Sequence, residues 1–423
     1  MSVSTLDPAE PTDPTAVPTR RRRLPLWFWP VAIVGTIFVL AVLRVITGAN
    51  DIASSGAIGA AVALAVPIAL AGLGGLWSER AGVVNIGLEG MMILGTWGAG
   101  FFGYHMGAWA GIVGGMVCGI IGGIIMGLAT VTFGVDHIVA GVALNITAMG
   151  IAKYLAARFF TGLPGGGVTQ SPPLPAVPRL SVPFMSGPLG TLESKQIFFV
   201  SDLAALVRGL TTNISAFTII AVLLFIGTFY FMWRTPWGLR LRSCGESPVA
   251  AESLGVNVIK YKFLAVTASG ALAGLGGAFL SLVAANIYRD GQTGGRGYIG
   301  LAAMIFGNWR PGGLAAGSLL FGYTDAARLR GGGANVHALL LAIAVILLAV
   351  AIWQLRRGRR KQGYLSALTA LAVGLWWFLS DSVPGELLGA TPYLTTLLVL
   401  AFAAQRLRMP AADGQIYRRG EGH

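Results

Sequence analysis

Few side chains in this chain are equipped for chemistry, and they gather in two polar blocks. The first is Ser78–Met92, SERAGVVNIGLEGMM. Asn85 and Glu89 in it are one helical turn apart and share a face. A charge at the centre of a bilayer costs about 2.5–3.5 kcal/mol even on permissive scales. Glu89 falls near the cytoplasmic third of its apolar segment, where the cost is smaller. Three roles suit it: contact with a polar solute, an ionic latch to Arg80 or a neighbouring helix, or a carboxylate satisfied by backbone amides at a broken helix start. Asn145 and Thr147, on the apolar stretch His137–Phe160, are lesser candidates for a solute path, since a lone amide in a bundle also serves as interhelical glue. Asp136 and His137 suit a cap at the start of that stretch.

The second block is Arg234–Lys262, RTPWGLRLRSCGESPVAAESLGVNVIKYK, polar and basic between two membrane-length apolar stretches. It holds a helix-compatible piece, Pro248–Leu254, between Gly245 and Gly255. A helix laid across the end of a bundle needs no such composition for packing. Docking onto a soluble partner does.

Catalytic patterns are missing. No GxxxxGK[ST] loop exists, because none of the lysines at 153, 195, 260, 262 and 361 follows a glycine, which excludes ATP hydrolysis by that route. His105, His137, His337 and His423 form no metal-binding pair, and neither HExxH nor GxSxG occurs. Cys118 and Cys244 have neither disulfide nor metal spacing. An intramembrane lipid-modifying enzyme therefore has no support, and no cofactor is expected on this chain. A secondary transporter driven by an ion gradient needs intramembrane acids that titrate or bind sodium, and only Glu89 qualifies.

The elements that position these blocks are membrane spans. Of 423 residues 55% are hydrophobic and only 11% charged, with mean hydropathy +0.71, whereas a soluble domain carries about 25% charged residues. The expected fold is an all-α polytopic transmembrane bundle of about ten spans, each needing about 20 apolar residues. The candidates are Trp27–Thr47, Gly56–Trp77, Ile86–Tyr104, Trp109–Val131, His137–Phe160, Asn213–Trp233, Phe263–Ala285, Val336–Leu355, Leu365–Ser380 and Tyr393–Leu407. The formal charge of +13 comes mostly from arginines beside these spans. The positive-inside rule accounts for them better than nucleic acid does. Residues 1–23 read as a disordered, basic cytoplasmic tail and not a signal peptide, because no small-residue cleavage site follows the apolar run. Residues 24–408 form the transmembrane domain, with 161–212 outside and 234–262 inside, and 409–423 form a cytoplasmic tail.

Gly297–Arg330 reads as two short segments folded at Asn308–Gly313, because a single crossing would leave Arg356–Lys361 outside. Such a re-entrant-like pair is tolerated only where protein or a water-filled cavity surrounds it, which makes it a candidate lining of a central passage. Gly111, Gly115, Gly119, Gly123 and Gly127 recur every four residues and make a groove on one span. The groove suits either a sliding contact or plain close packing. The Pro- and Gly-rich external loop argues against regular structure, apart from a short surface helix within Gln196–Gly209.

SERAGVVNIGLEGMMILG, DHIVAGVALN and TPWGLRLRSCGESPVAAESLGVNVIKYK followed by ASGALAGLGGAFLSL together resemble a known family. It is the permease subunit of ATP-binding-cassette (ABC) importers, in the branch serving ribose-type sugars, branched-chain amino acids and nucleosides. The blocks look most like nucleoside permeases, with simple-sugar permeases as the alternative, and the likeness runs from about Ala65 to Ala327. The resemblance implies that Gly245, Glu246, Pro248, Ala250, Ala251, Leu254 and Gly255 form the loop that docks into a cytoplasmic ATPase. It also places Asn85, Gly87, Glu89 and Gly90 close to the translocation path. Ser247 stands where an asparagine is expected, and Cys244 where a small apolar residue is. The implied partners are an ABC ATPase subunit carrying ATP-Mg (often one fused chain), a second homologous permease, an extracytoplasmic solute-binding lipoprotein and the lipid of a bacterial plasma membrane.

Overall fold

Apolar runs without internal water force the backbone to satisfy itself, and among the described residues such runs are helical. The computed structural model describes residues 27–391, 394–396 and 407–420. The arginine cluster at 20–23 and most of the last expected span lie outside them.

The helices in chain order are α1 Phe28–Thr47, α2 Ser55–Arg80, α3 Leu88–Met106, α4 Ala108–Gly127 and α5 His137–Phe160. The long loop after α5 then carries α6 Ser186–Ser194 and α7 Val200–Thr211. A two-residue antiparallel ribbon, β1 Arg179–Leu180 with β2 Ile214–Ser215, closes that loop. There follow α8 Ala216–Arg234, α9 Pro236–Glu246, α10 Pro248–Ser253, α11 Val258–Phe279 and α12 Arg296–Phe306. The last are α13 Pro311–Arg356, α14 Arg360–Leu379 and α15 Gly385–Leu388. Among the described residues seven helices are long and apolar enough to cross a membrane. α3 falls short of that apolarity because glycines, Thr96 and His105 dilute it, yet it packs at the centre of the bundle.

Local chemistry sets the helix starts. Asp136 caps α5 by accepting from Ile138 and Val139 N–H at 2.9 and 3.0 Å. Thr235 caps α9 by accepting from Gly238 N–H at 3.2 Å, with Pro236 in the first turn where its missing N–H costs nothing.

The two-segment reading of Gly297–Arg330 holds. α12 ends at Phe306, a turn runs through 307–310, and α13 departs from Pro311. The turn is tied to the C-terminal end of α2: Glu79 accepts from Trp309 Nε1 at 2.6 Å, and Arg80 donates to the Trp309 carbonyl at 2.7 Å. At the opposite end Arg330 pairs with Asp51 at 3.2 Å, just before α2 begins. The first part of α13 therefore runs the full length of α2 from one face to the other. The helix is interrupted at Gly332 (φ 55°, ψ −136°), and its remainder corresponds to the expected span Val336–Leu355.

The glycine groove on α4 is a close-packed seam, not an open slot. A Cβ on Gly119 would overlap the Gly270 carbonyl oxygen of α11, and Gly274 faces the Gly115 carbonyl in the same way. Backbones that close exchange dispersion contacts along their whole length, the main source of helix association in lipid.

In the loop after α5, α7 occupies the stretch expected to hold a helix. α6 was unexpected there, since SGPLG suggests a turn. Pro188 falls in its first turn, where proline is tolerated.

Candidate functional site

Two helices, α3 and α12, begin inside the bundle, and the polar residues singled out above gather at their starts. α2 ends at Arg80, and the chain runs through 81–87 before α3 begins at Leu88. After α11 the chain likewise re-enters the bundle, so that α12 begins beside α3. Glu89 joins these two starts. Its Oε1 accepts from Gly295 N–H at 2.9 Å and its Oε2 from Gly297 N–H at 2.7 Å. The carboxylate thus satisfies donors that every helix leaves open at its N-terminus, and it faces the positive end of the α12 dipole. Gly297 is needed for this approach: a Cβ there would lie 2.6 Å from the Glu89 backbone.

Asn145 clasps the same junction from α5. Its Oδ1 accepts from Gly90 N–H at 2.7 Å, and its Nδ2 donates to the Ile86 carbonyl at 3.0 Å and to Tyr298 Oη at 2.8 Å. Asn85, fully buried, accepts from Gly87 N–H at 3.1 Å and donates to Ser269 Oγ on α11 at 2.8 Å. The three candidates therefore sit in one wall where α3, α5, α11 and α12 meet. The suggested latch between Glu89 and Arg80 is not made. Arg80 is committed to Trp309 and lies 3.7 Å from Glu246.

A second charged cluster joins the start of α12 to α13. Asp325 accepts from Arg296 at 3.0 Å and from Arg328 at 2.7 Å, beside a cavity of 230 Å³ lined also by Ile68, Ile299 and Phe321. Sequence reading missed it, although an acid and a base three residues apart inside LLFGYTDAARLR was an available signal.

The second block forms two helices at a corner on the end of the bundle where α2 finishes. α9, unexpected in the basic stretch, packs through Leu241 and Cys244 into the core below α2 and α11. Burial pushes the Cys244 thiol up to about 11, so it is a packing group and not a nucleophile. α10 spans Pro248–Ser253, within one residue of the expected piece, and Ala251 alone of it is buried. Gly245 is pressed against the Arg80 carbonyl, and Gly255 ends the corner at φ 79°. Pro248 is half-buried; Glu246, Ala250 and Leu254 face solvent, Leu254 with 83% of its surface open. An apolar side chain that exposed beside the basic end of a membrane bundle is suited to being covered by another protein.

The sequence that builds this bundle is matched by known proteins. A family model for the permease component of branched-chain amino acid transport systems matches residues 57–351. The chain belongs to that permease family. The permease is 32% identical to the guanosine ABC transporter permease protein NupQ of Bacillus subtilis over 64% of its own length and 81% of the relative's. It is 30% identical to the nucleoside ABC transporter permease protein NupC of Lactococcus lactis over 83% of its length and 93% of the relative's. A putative glucose ABC transporter permease protein of Haloferax volcanii is also 30% identical, over 86% and 98%. No solved structure matches significantly. The permease is thus a multi-pass integral membrane protein and a transport component.

Proposed function

We propose that this chain is the membrane-spanning subunit of an ATP-driven ABC importer that carries nucleosides into the cell. The observation that carries the reading is the match to two nucleoside permeases over most of their length, joined to a chain built of membrane helices. Energy comes from ATP-Mg bound to a separate ATPase subunit. A second permease and an extracytoplasmic binding protein complete the machine.

Coupling runs through the corner made by Gly245, Glu246, Pro248, Ala250, Ala251, Leu254 and Gly255. A lever must be exposed at its tip and rooted in the spans. Leu254 is exposed, while Ala251 packs with Tyr261 and Ala265 of α11 in one core. Alternating access then requires that ATP binding favour one arrangement of the spans through a contact that differs between the two. Asn85, Glu89 and Asn145 shape the wall of the translocation path by holding the broken starts of α3 and α12 open toward it. A nucleoside is neutral and rich in hydrogen-bonding groups, so a path walled by backbone ends and amides suits it better than one with a free charge.

The test is uptake of radiolabelled guanosine and glucose by vesicles holding the assembled complex, with internal ATP and collapsed proton and sodium gradients. ATP-dependent guanosine uptake is expected, and it should vanish on deletion of Glu246–Gly255 while the chain still inserts. Glucose uptake in its place selects a sugar permease. Uptake that needs an ion gradient would refute the ATP-driven reading.

A further inference from the structure

The described C-terminal segment, 407–420, does not trail away from the bundle; it lies across the cytoplasmic corner. Arg408 N–H donates to Asn308 Oδ1 at 2.8 Å, tying the segment to the turn after α12. Ala411 N–H donates to Glu246 Oε2 at 3.3 Å, and Ala412 N–H to the Gly245 carbonyl at 2.9 Å. Lys262 Nζ donates to the carbonyls of Gln415 and Gly82 at 3.4 and 3.3 Å and stands over the Tyr417 ring at 5.9 Å. Arg419 pairs with Glu252 of α10 at 3.4 Å. Ala412 and Asp413 are buried, with 4% and 8% of their surface open.

α10 needs such support. It has six residues and one buried side chain, whereas isolated helices shorter than about 12–15 residues are marginal in water. A lever that frays absorbs a push instead of passing it on. The tail touches the corner at both ends, at Gly245–Glu246 and at Glu252, and it also forms one side of a 410 Å³ notch whose other side is Glu252 and the turn Gly255–Asn257. Tyr417 and Arg419 line that notch, with Arg419 82% exposed at its side chain.

We propose that residues 409–419 are the second half of the docking surface for a cytoplasmic ATP-hydrolysing subunit: they hold α10 in place and wall the notch that receives that partner. This rests on the reading of α10 as the coupling helix. The partner is the ATPase because the notch continues the exposed face of α10, which ends in Leu254, and lies at the basic end of the bundle.

Two measurements test it on the full chain and on a variant lacking 409–423. In the detergent-solubilised chain, hydrogen exchange of amides 246–257 should rise at least tenfold on deletion. Arg419→Glu alone should raise it about twofold, the size expected of an exposed pair, and adding Glu252→Arg should return it. In the assembled complex, ATP-driven uptake by the deletion variant should fall at least tenfold with insertion unchanged. Unaltered exchange overturns the holding role; raised exchange with normal uptake overturns the docking role. If uptake by the unaltered complex persists without ATP, the function proposed above fails and takes the partner with it. The exchange result still decides whether the tail holds α10.

Discussion

Glu89 and Gly297, 208 positions apart in sequence, are joined by a 2.7 Å hydrogen bond from the glycine N–H to the carboxylate Oε2. With the companion bond from Gly295 N–H, this makes a side chain from one broken span the cap of another. Glu89→Gln keeps the shape but offers one acceptor where two are needed, and its amide N–H₂ faces a donor. Stranding a buried donor costs about 1–3 kcal/mol. The unfolding midpoint of the purified chain should drop accordingly, and an unchanged midpoint would show that the cap bears no load.

The α4–α11 seam predicts a contrast between two glycines. Gly119→Ala places a methyl against the Gly270 carbonyl and should cost about 1–3 kcal/mol, as overpacking does. Gly150→Ala on α5 meets nothing within 4 Å and should be neutral or stabilising, since alanine gains about 0.5–1 kcal/mol in a helix interior. Thermal denaturation of the two variants side by side checks the order.

Asp325 serves two guanidinium groups at once. Asp325→Asn leaves Arg296 and Arg328 side by side with no counter-charge, at a cost of about 3 kcal/mol for a broken, mostly buried pair. Expression level and denaturation midpoint should both fall, and Arg328→Gln in the same chain should recover part of the loss. Equal stability of Asp325→Asn and the unaltered chain would show the cluster to be solvated.

Docking of the C-terminal segment should depend on pH. Burial is the main cause that pushes the Asp413 carboxyl from 3.8 up to about 7, against the opposing pull of the Glu79 contact and the Lys262 and Arg80 charges. The docked segment therefore holds a proton that the free segment has already released. Docking is strongest below the free value and weakens as pH rises through 7. Exchange protection of amides 246–257, corrected for intrinsic rates, should decrease from pH 6 to pH 8. Asp413→Asn should flatten that dependence, and a native chain with constant protection would contradict it.

How much of this was legible in the residues depends on distance along the chain. His137–Phe160 was bounded correctly at both ends, because its apolar run and its aspartate cap are local. Pro248–Leu254 was found to within one residue, since proline and glycine punctuate it. Charge placement called for a fold, expected at Asn308–Gly313 and found at 307–310. α9 was missed because a basic, arginine-rich stretch reads as solvated loop, and only its Leu241 and Cys244 face betrays the packing. That backbone amides at a broken helix start satisfy Glu89 was among its legible roles; which helix supplies those amides, and the course of the tail, were not. Each is a pairing across more than 150 residues, and no period or motif within either segment specifies the other. The glycine groove was seen, but whether it slides or locks was decided only by the identity of the facing backbone.

Gly332 sets where α13 changes direction. Its dihedrals lie where side-chain-bearing residues are strained, and a Cβ there would meet no neighbour. The turn at 307–310 is bolted to α2 by Trp309, and the head of α12 is bolted to α3 by Glu89. Past this glycine the remainder of α13 packs through Ala338 against Leu43, Ile52 and Ala53, so the kink seats it on α1 and the turn just before α2.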